Sequence, residues 1–248
     1  MDLTPVGNAA AILAAAKAVE PYLLKVLGAP LDQIGELLAS PFEEMKKRRA
    51  ERFTKIVTDA AEQVRASGDE PIRIPDYIAL PLLERATLVD DADLQRIWAS
   101  LLANASRAGT GVHPGFVQVL ENMGALDAVV LNEAYRRLLA QLKEKGNIQI
   151  VYLSEDQTND VLRTVKENGG ETCLDNLVRL RLLLPDPTHP NSFTTSEGLK
   201  MRPTFKYYLT RFGLEFYLAC QPPVIRDKLI AESPSLASLT AYPIAPPY

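Results

Sequence analysis

Four carboxylates precede the most regular helix pattern in the sequence, and together they could form a metal site or a general acid–base pair. They are Glu84, Asp90, Asp91 and Asp93. The apolar side chains that follow have the spacing of a helix with one wide buried stripe: Leu94, Ile97, Trp98, Leu101, Leu102 and Ala105. Carboxylates at a helix start accept hydrogen bonds from free N–H groups and oppose the helix dipole. Capping is therefore the favoured interpretation of this cluster.

Asn104 and His113 are the other polar side chains of this region with catalytic potential. Asn104 could act as a catalytic amide, although hydrogen bonding near the helix end or to the following glycine-rich loop is favoured. His113 could act as a base, but no serine or cysteine is close to it in sequence. Pro114 after it makes the pair a device that starts the next helix. Cys173 and Cys220 lie among apolar helix residues, which is typical of buried thiols.

Known catalytic and cofactor-binding motifs are missing from the sequence. It contains no P-loop, no dinucleotide-binding glycine fingerprint, no HExxH and no CxxC. Two histidines and two cysteines are too few for the common metal sites. We therefore expect no metal, no cofactor and no enzymatic activity.

Composition and charge favour a globular cytoplasmic protein. The 248 residues are 47% hydrophobic and carry a net charge of −4, so a core is available and no bulk charge attracts nucleic acid or membranes. No basic residue precedes the apolar run from Ala9 to Ala16, and charged residues interrupt the hydrophobicity from Lys17 onward. Neither a signal peptide nor a transmembrane helix is predicted.

Helix patterns dominate the first part of the chain. We predict an N-terminal helical region (1–68), a central helical domain with the WASLLANA helix (72–146), a winged-helix-like module (147–220) and an extended, Pro-rich tail (221–248). The fold class is mainly α, with a helical bundle followed by a C-terminal winged helix-turn-helix-like α+β module.

The densest basic cluster lies on the helix predicted from Pro41 to Arg65. Its candidate contact residues are Lys46, Lys47, Arg48, Arg49 and Arg52. A solvated face balanced by neighbouring glutamates is the favoured interpretation. The alternatives are a contact with nucleic acid, or with an anionic membrane together with the alanine-rich helix predicted at residues 3–27.

The C-terminal module has the element order of a winged helix-turn-helix. A strand is predicted at 148–153, followed by a helix with a capping box formed by Ser154 and Gln157. A turn, a second helix, a short strand at 183–184, a long polar loop and a returning strand complete the order.

The second helix of this module would be the one that reads a DNA groove. Its polar candidate contacts are Asn176, Arg179 and Arg181. Basic and acidic residues nearly balance from Glu171 to Cys220, although groove binding depends on neutralising phosphates. A protein contact is therefore expected ahead of a DNA contact.

Four segments carry a family resemblance: LGAPLDQIGELLASPFEEMKKRRAERFTKI, PLLERATLVDDADLQRIWASLLANA, HPGFVQVLENMGALDAVVL and NLVRLRLLLPD…YYLTRFGLEFYLAC. In their order the chain resembles the abortive infection alpha family of bacterial phage-defence proteins. The WASLLANA block with the following HPGF is the most specific part. Trp98, Asn104, His113 and Pro114 match its most recognisable positions.

The resemblance implies a cytoplasmic bacterial or prophage-encoded protein that limits phage propagation, and it transfers no catalytic residue. The favoured hypothesis is a defence protein that acts by binding a protein partner or another copy of itself. The alternatives are a membrane-active toxin that uses the N-terminal helices, and a winged-helix regulator that binds DNA.

Overall fold

The computed structural model describes residues 19–28, 43–145, 152–164, 170–186, 206–233 and 236. The chain divides into two compact units, unit 1 (Met1–Asn122, Ala219–Lys228, Pro243–Tyr248) and unit 2 (Met123–Leu218, Leu229–Tyr242). Several predicted segments lie wholly or partly outside the described residues. They are residues 3–18 of the helix predicted at 3–27, a second helix that the sequence predicts at 31–38, the start of the strand predicted at 148–153, most of the polar loop that the sequence predicts at 185–203, and the tail beyond 236.

The described part is mainly helical with one small antiparallel sheet, as the sequence predicted. Residues 19–27 form a helical segment. The elements that follow are α1 (Glu43–Ser67), α2 (Asp76–Ala86), α3 (Ala92–Ala105), α4 (Gly115–Glu121), α5 (Ala125–Lys145), β1 (Tyr152–Leu153), α6 (Glu155–Arg163), α7 (Gly170–Arg179), β2 (Leu183–Pro185), β3 (Tyr207–Leu209), α8 (Arg211–Ala219) and α9 (Pro223–Ala231).

The centre of unit 1 is α3, which packs along α1. Trp98 is fully buried and is the largest such side chain. The predicted apolar stripe is confirmed at most of its positions, but burial goes further, because Gln95, Ser100 and Asn104 are also buried. Small residues at Ala99 and Ala103 let neighbouring elements approach α3 on the sides that a simple amphipathic helix would expose to water.

The first turn of α3 is capped as its sequence predicted. The Asp91 carboxylate accepts hydrogen bonds from the backbone N–H groups of Asp93 (3.0 Å) and Leu94 (2.9 Å). Asp90 forms an ion pair with Arg52, and Asp93 forms one with Arg96. These three aspartates are therefore used to start a helix and to pair with arginines.

In unit 2, α5 packs against α6 and α7, and the three strands form a sheet in the order β1-β3-β2. Both pairings are antiparallel, with Tyr152 opposite Tyr208 and Leu184 opposite Tyr208. Alternate residues point to opposite faces of a strand. The inner face is buried at Leu153, Leu183, Tyr207 and Leu209.

The end of α7 is built around close backbone contacts. Arg181 has a left-handed backbone (φ 60°), and the Leu182 N–H bonds to the Leu177 carbonyl at 2.9 Å, as in a Schellman cap. The Leu182 carbonyl accepts a hydrogen bond from the Tyr135 hydroxyl at 2.7 Å. A Cβ on Gly213 would lie only 2.3 Å from that carbonyl oxygen, so only glycine fits there.

Two local predictions have opposite outcomes. The capping box of Ser154 and Gln157 is confirmed at the start of α6. The expectation of an extended tail is wrong for residues 223–231, which form α9. Pro223 is the first residue of α9. At this position the missing N–H costs no hydrogen bond, and the fixed φ of proline favours the helix.

Among the residues that the structure describes, no helix is both long and apolar enough to cross a bilayer.

Replacing Trp98 by alanine should lower the free energy of unfolding by about 3–5 kcal/mol, because the deleted ring leaves a large cavity. Trp98→Phe should cost less, since it keeps apolar volume and removes an indole N–H that has no acceptor among the described residues. Urea denaturation measures both, with Ile97→Ala, a half-exposed neighbour on α3, as the control. A Trp98→Ala variant as stable as the wild type would contradict the core role of the ring.

Candidate functional site

Asn104 lies near the C-terminal end of α3 and is fully buried. Its side-chain amide donates to the backbone carbonyls of Ser100 (3.0 Å), Ala219 (2.9 Å) and Gln221 (2.8 Å). The Thr110 hydroxyl donates to the Asn104 main-chain carbonyl. The bonds to Ser100 and from Thr110 agree with the structural role favoured from the sequence position of Asn104. The bonds that hold the segment entering α9 were not predicted.

Arg107, one turn further on, is a buried arginine that pairs with two partly exposed carboxylates. Its side chain is only 8% exposed, and its guanidinium donates to Asp69 at 2.5 Å and to Asp227 at 2.5 Å. A third contact joins it to the Asn104 side-chain oxygen at 3.2 Å. Burial alone would lower the pKa of Arg107, but its bonds to Asp227 and Asp69 outweigh burial and raise it.

Arg226 lies beside this cluster with a less complete set of partners. It donates to the Thr110 carbonyl at 3.4 Å, and its Nε finds no acceptor in the part of the chain that the structure describes. Burial is the main cause that lowers the pKa of Arg226, and the positive charge of Arg107 acts in the same direction. Residues 219–228 are therefore attached to α3 and its following loop mainly through Asn104 and Arg107.

His113 and Pro114 start α4. His113 is exposed, its Nδ1 accepts a hydrogen bond from the Gly115 N–H at 3.0 Å, and its ring lies beside Phe116 with centroids 5.8 Å apart. The Pro114 carbonyl accepts from the Val117 N–H at 3.2 Å. This geometry supports the helix-start interpretation of the pair. Within the described residues, no group of three His, Cys, Asp or Glu side chains is placed to bind a metal ion.

The basic cluster of α1 is partly used inside unit 1. Arg49 donates to the Thr87 hydroxyl at 3.3 Å, and Arg52 donates to the Thr87 carbonyl at 3.1 Å and pairs with Asp90. Lys47 and Arg48 are exposed, whereas the side chain of Lys46 lies outside the described ones. The structure therefore separates four of the five predicted contact residues into two that hold the loop before α3 and two that are exposed.

The candidate contacts of α7 are also partly internal. The Asn176 amide donates to the buried Asp127 carboxylate at 2.7 Å, and Arg179 donates to the Asn176 oxygen at 2.7 Å. Arg181 is exposed beyond the helix end. The side chains of α7 that face solvent are Glu171, Thr172, Asp175 and Arg179.

The comparisons with known proteins bear on the whole of this arrangement. The family described as abortive infection alpha matches residues 45–220, well over half of the chain. The chain belongs to the abortive infection alpha family. No curated protein and no solved structure matches it.

The abortive infection alpha match includes Trp98, Asn104, His113 and Pro114, but it ends before Asp227. Sequence reasoning selected Asn104 and missed Arg107, because an isolated arginine after an apolar stripe has no spacing that reveals a distant partner. Its two aspartates lie 38 and 120 residues away along the chain. The one signal in the sequence is that Arg107 does not continue the apolar pattern of α3, and this signal names no partner.

Replacing Arg107 by alanine should lower the free energy of unfolding by about 2–3 kcal/mol, because charge-assisted hydrogen bonds to two carboxylates are lost. Arg96→Ala on the same helix is the matched control. Its ion pair with Asp93 is 70% and 67% exposed, so its loss should cost about 0–1 kcal/mol.

Chemical denaturation measures the free energy of unfolding of both variants, and equal losses in the two would contradict a special role for Arg107.

The pH dependence of stability gives a second check. Hydrogen bonding from Ser67, aided by Arg107, lowers the pKa of Asp69 in the folded protein. The ionised Asp69 carboxylate therefore stabilises the fold above the ordinary carboxyl pKa, and this stabilisation is lost as the pH falls below it. The loss of stability at low pH should be smaller in Arg107→Ala, because the variant lacks one of the groups that lower this pKa.

Proposed function

We propose that this member of the abortive infection alpha family limits phage propagation by binding a protein partner. In this proposal residues 152–218, with α5, form a winged-helix module, and the exposed face of α7 makes the contact. Family membership supports the defence role. The side chains that α7 exposes are the single observation that supports a protein partner over DNA.

The order and pairing of elements support a winged helix. A helix, a strand, two helices and two further strands follow one another as α5, β1, α6, α7, β2 and β3. The last strand lies between the other two in the sheet. In this proposal α7 corresponds to the recognition helix of a helix-turn-helix protein.

The charge of α7 disfavours DNA as the partner. Residues near the N-terminus of a recognition helix approach the base edges, and here Glu171 is exposed in the first turn of α7 and Asp175 one turn later. Their carboxylates would repel phosphates, whose neutralisation drives DNA binding. Two arginines, Arg179 on α7 and Arg181 just after it, could contact phosphates. Arg179 already donates hydrogen bonds to Asn176 within the module.

Exposed Lys47 and Arg48 near the start of α1 support a second candidate function, contact with an anionic membrane or nucleic acid. Lys47→Glu with Arg48→Glu tests it. Loss of vesicle or oligonucleotide binding at low salt would favour this candidate, whereas a wild type that binds neither excludes it.

Reversing the charge of α7 should abolish defence. Glu171→Lys with Asp175→Lys should raise phage plaque counts to those of cells without the protein, because the proposed contact becomes repulsive. Glu62→Lys with Glu84→Lys makes the same charge change at exposed positions of α1 and α2 and should leave protection intact. Circular dichroism and thermal unfolding establish that each variant is folded.

Pull-down from infected cells identifies the bound protein, which the α7 variant should fail to capture. Undiminished protection by that variant would overturn the proposed contact. Salt-dependent DNA binding by the wild type that weakens in Arg179→Ala with Arg181→Ala would instead favour a DNA-binding regulator. Nucleotide hydrolysis or nucleic acid cleavage by the purified protein would overturn a binding role.

A further inference from the structure

We propose that the protein partner of α7 is a second copy of this chain, which receives α7 on the outer face of its three-stranded sheet. This inference rests on the function proposed above and names the partner. We call the receiving surface the tyrosine–lysine face, formed by Tyr152, Tyr208, Leu184, Lys145 and Lys206. The donor surface is the acidic half of α7, formed by Glu171 and Asp175.

The tyrosine–lysine face is the solvent side of the sheet. The strand register places Tyr152, Tyr208 and Leu184 side by side across the three strands. The rings of Tyr152 and Tyr208 lie 5.6 Å apart, and Leu184 is 56% exposed. Because these residues alternate with the buried inner residues, the row belongs to the face that the core of unit 2 does not cover.

Two lysines make this face positive. The ammonium groups of Lys145 and Lys206 each lie 5.4 Å from the centre of the Tyr152 ring, within reach of cation–π attraction. The Asp186 carboxylate adds one negative charge at the edge of this face, where it accepts a hydrogen bond from the Tyr208 hydroxyl at 3.5 Å. Lysine stems and tyrosine rings also offer apolar area to a docking helix, so the face combines positive charge with contact surface.

The acidic half of α7 lies on the inner side of the same sheet. The helix packs against β2, and its Leu174 and Leu177 are buried like Tyr207 of the inner face, whereas Glu171 and Asp175 are exposed. Burial first, and then the negative charges of Asp175 and Glu171, raise the pKa of Tyr207 to about 12. The donor and receiving surfaces therefore point away from each other on one module. A copy cannot close its own two surfaces together, but each surface complements the other on a second copy.

This arrangement makes the contact heterologous, with different surfaces on the two copies. Such contacts extend into rings or open chains rather than closing as a twofold dimer. Both surfaces are small, since the strands have two or three residues, so a single contact should be weak and sensitive to salt. Assembly would then depend on the local concentration of the protein.

Sedimentation velocity of the full chain at low ionic strength tests the contact. The weight-average mass of the wild type should rise with concentration above the 27.3 kDa of one chain and return to it in high salt. Lys145→Glu with Lys206→Glu should stay monomeric, and so should Glu171→Lys with Asp175→Lys. A mixture of the two variants should assemble, because each reversed surface then meets its complement.

Arg73→Glu with Arg96→Glu is the matched control, since it reverses two exposed arginines of unit 1 with the same change in net charge. This variant should assemble like the wild type. A chain that carries all four reversals should assemble again, which separates lost charge complementarity from misfolding.

A wild type that remains monomeric at every concentration overturns self-docking, and so does assembly that survives either reversed pair. Binding of a single-stranded oligonucleotide by a monomeric wild type, lost in Lys145→Glu with Lys206→Glu, would reassign the face to nucleic acid. If self-docking fails while the α7 variant still loses protection and partner capture, the proposed function stands with another protein as the partner. Plaque counts that stay as low with Glu171→Lys and Asp175→Lys as with the wild type would instead show that the proposed function itself fails.

Discussion

Unit 1 depends on the burial of α3 on nearly all of its sides. A helix with so small a solvent face must satisfy most of its polar side chains inside the protein, because each unpaired buried group costs free energy. Gln95 donates to the Val89 carbonyl at 2.8 Å and accepts from Lys55 at 3.0 Å. The Ser100 hydroxyl bonds to the Arg96 carbonyl at 3.0 Å. The polar positions of α3 thus attach it to α1, to the preceding loop and to itself.

The C-terminal end of α3 extends the same constraint to distant parts of the chain. Ser106 pairs with the buried Tyr22 hydroxyl at 3.0 Å, while Asn104 and Arg107 hold residues 219–227. These residues have the chemical types of an active site, an amide and a paired arginine with carboxylates. They nevertheless donate to backbone carbonyls and to carboxylates of the same chain, and these bonds join segments that are far apart in sequence.

The surfaces of unit 2 are of a different kind. There the core uses the inner face of the sheet and one side of α7, and it leaves an acidic helix face and a row of tyrosines next to lysines. If these surfaces bind as proposed, their opposite charges favour orientation and rate of encounter more than tight affinity. The proposed protein contact therefore lies in unit 2, although the family's most recognisable sequence lies in unit 1.

Local patterns in the sequence determined the helical class, the Asp91 and Ser154 caps, the burial of Trp98 and the family, because periodicity, capping and motif order depend on near neighbours. The prediction of an extended tail was wrong over residues 223–231, because Pro223 is the first residue of a helix there. Only the tertiary structure decided which polar residues are consumed internally. Arg107 finds Asp227, and Asn176 finds Asp127, across separations that no local pattern encodes. The same holds for the tyrosine–lysine face, since strand register depends on pairing between distant segments.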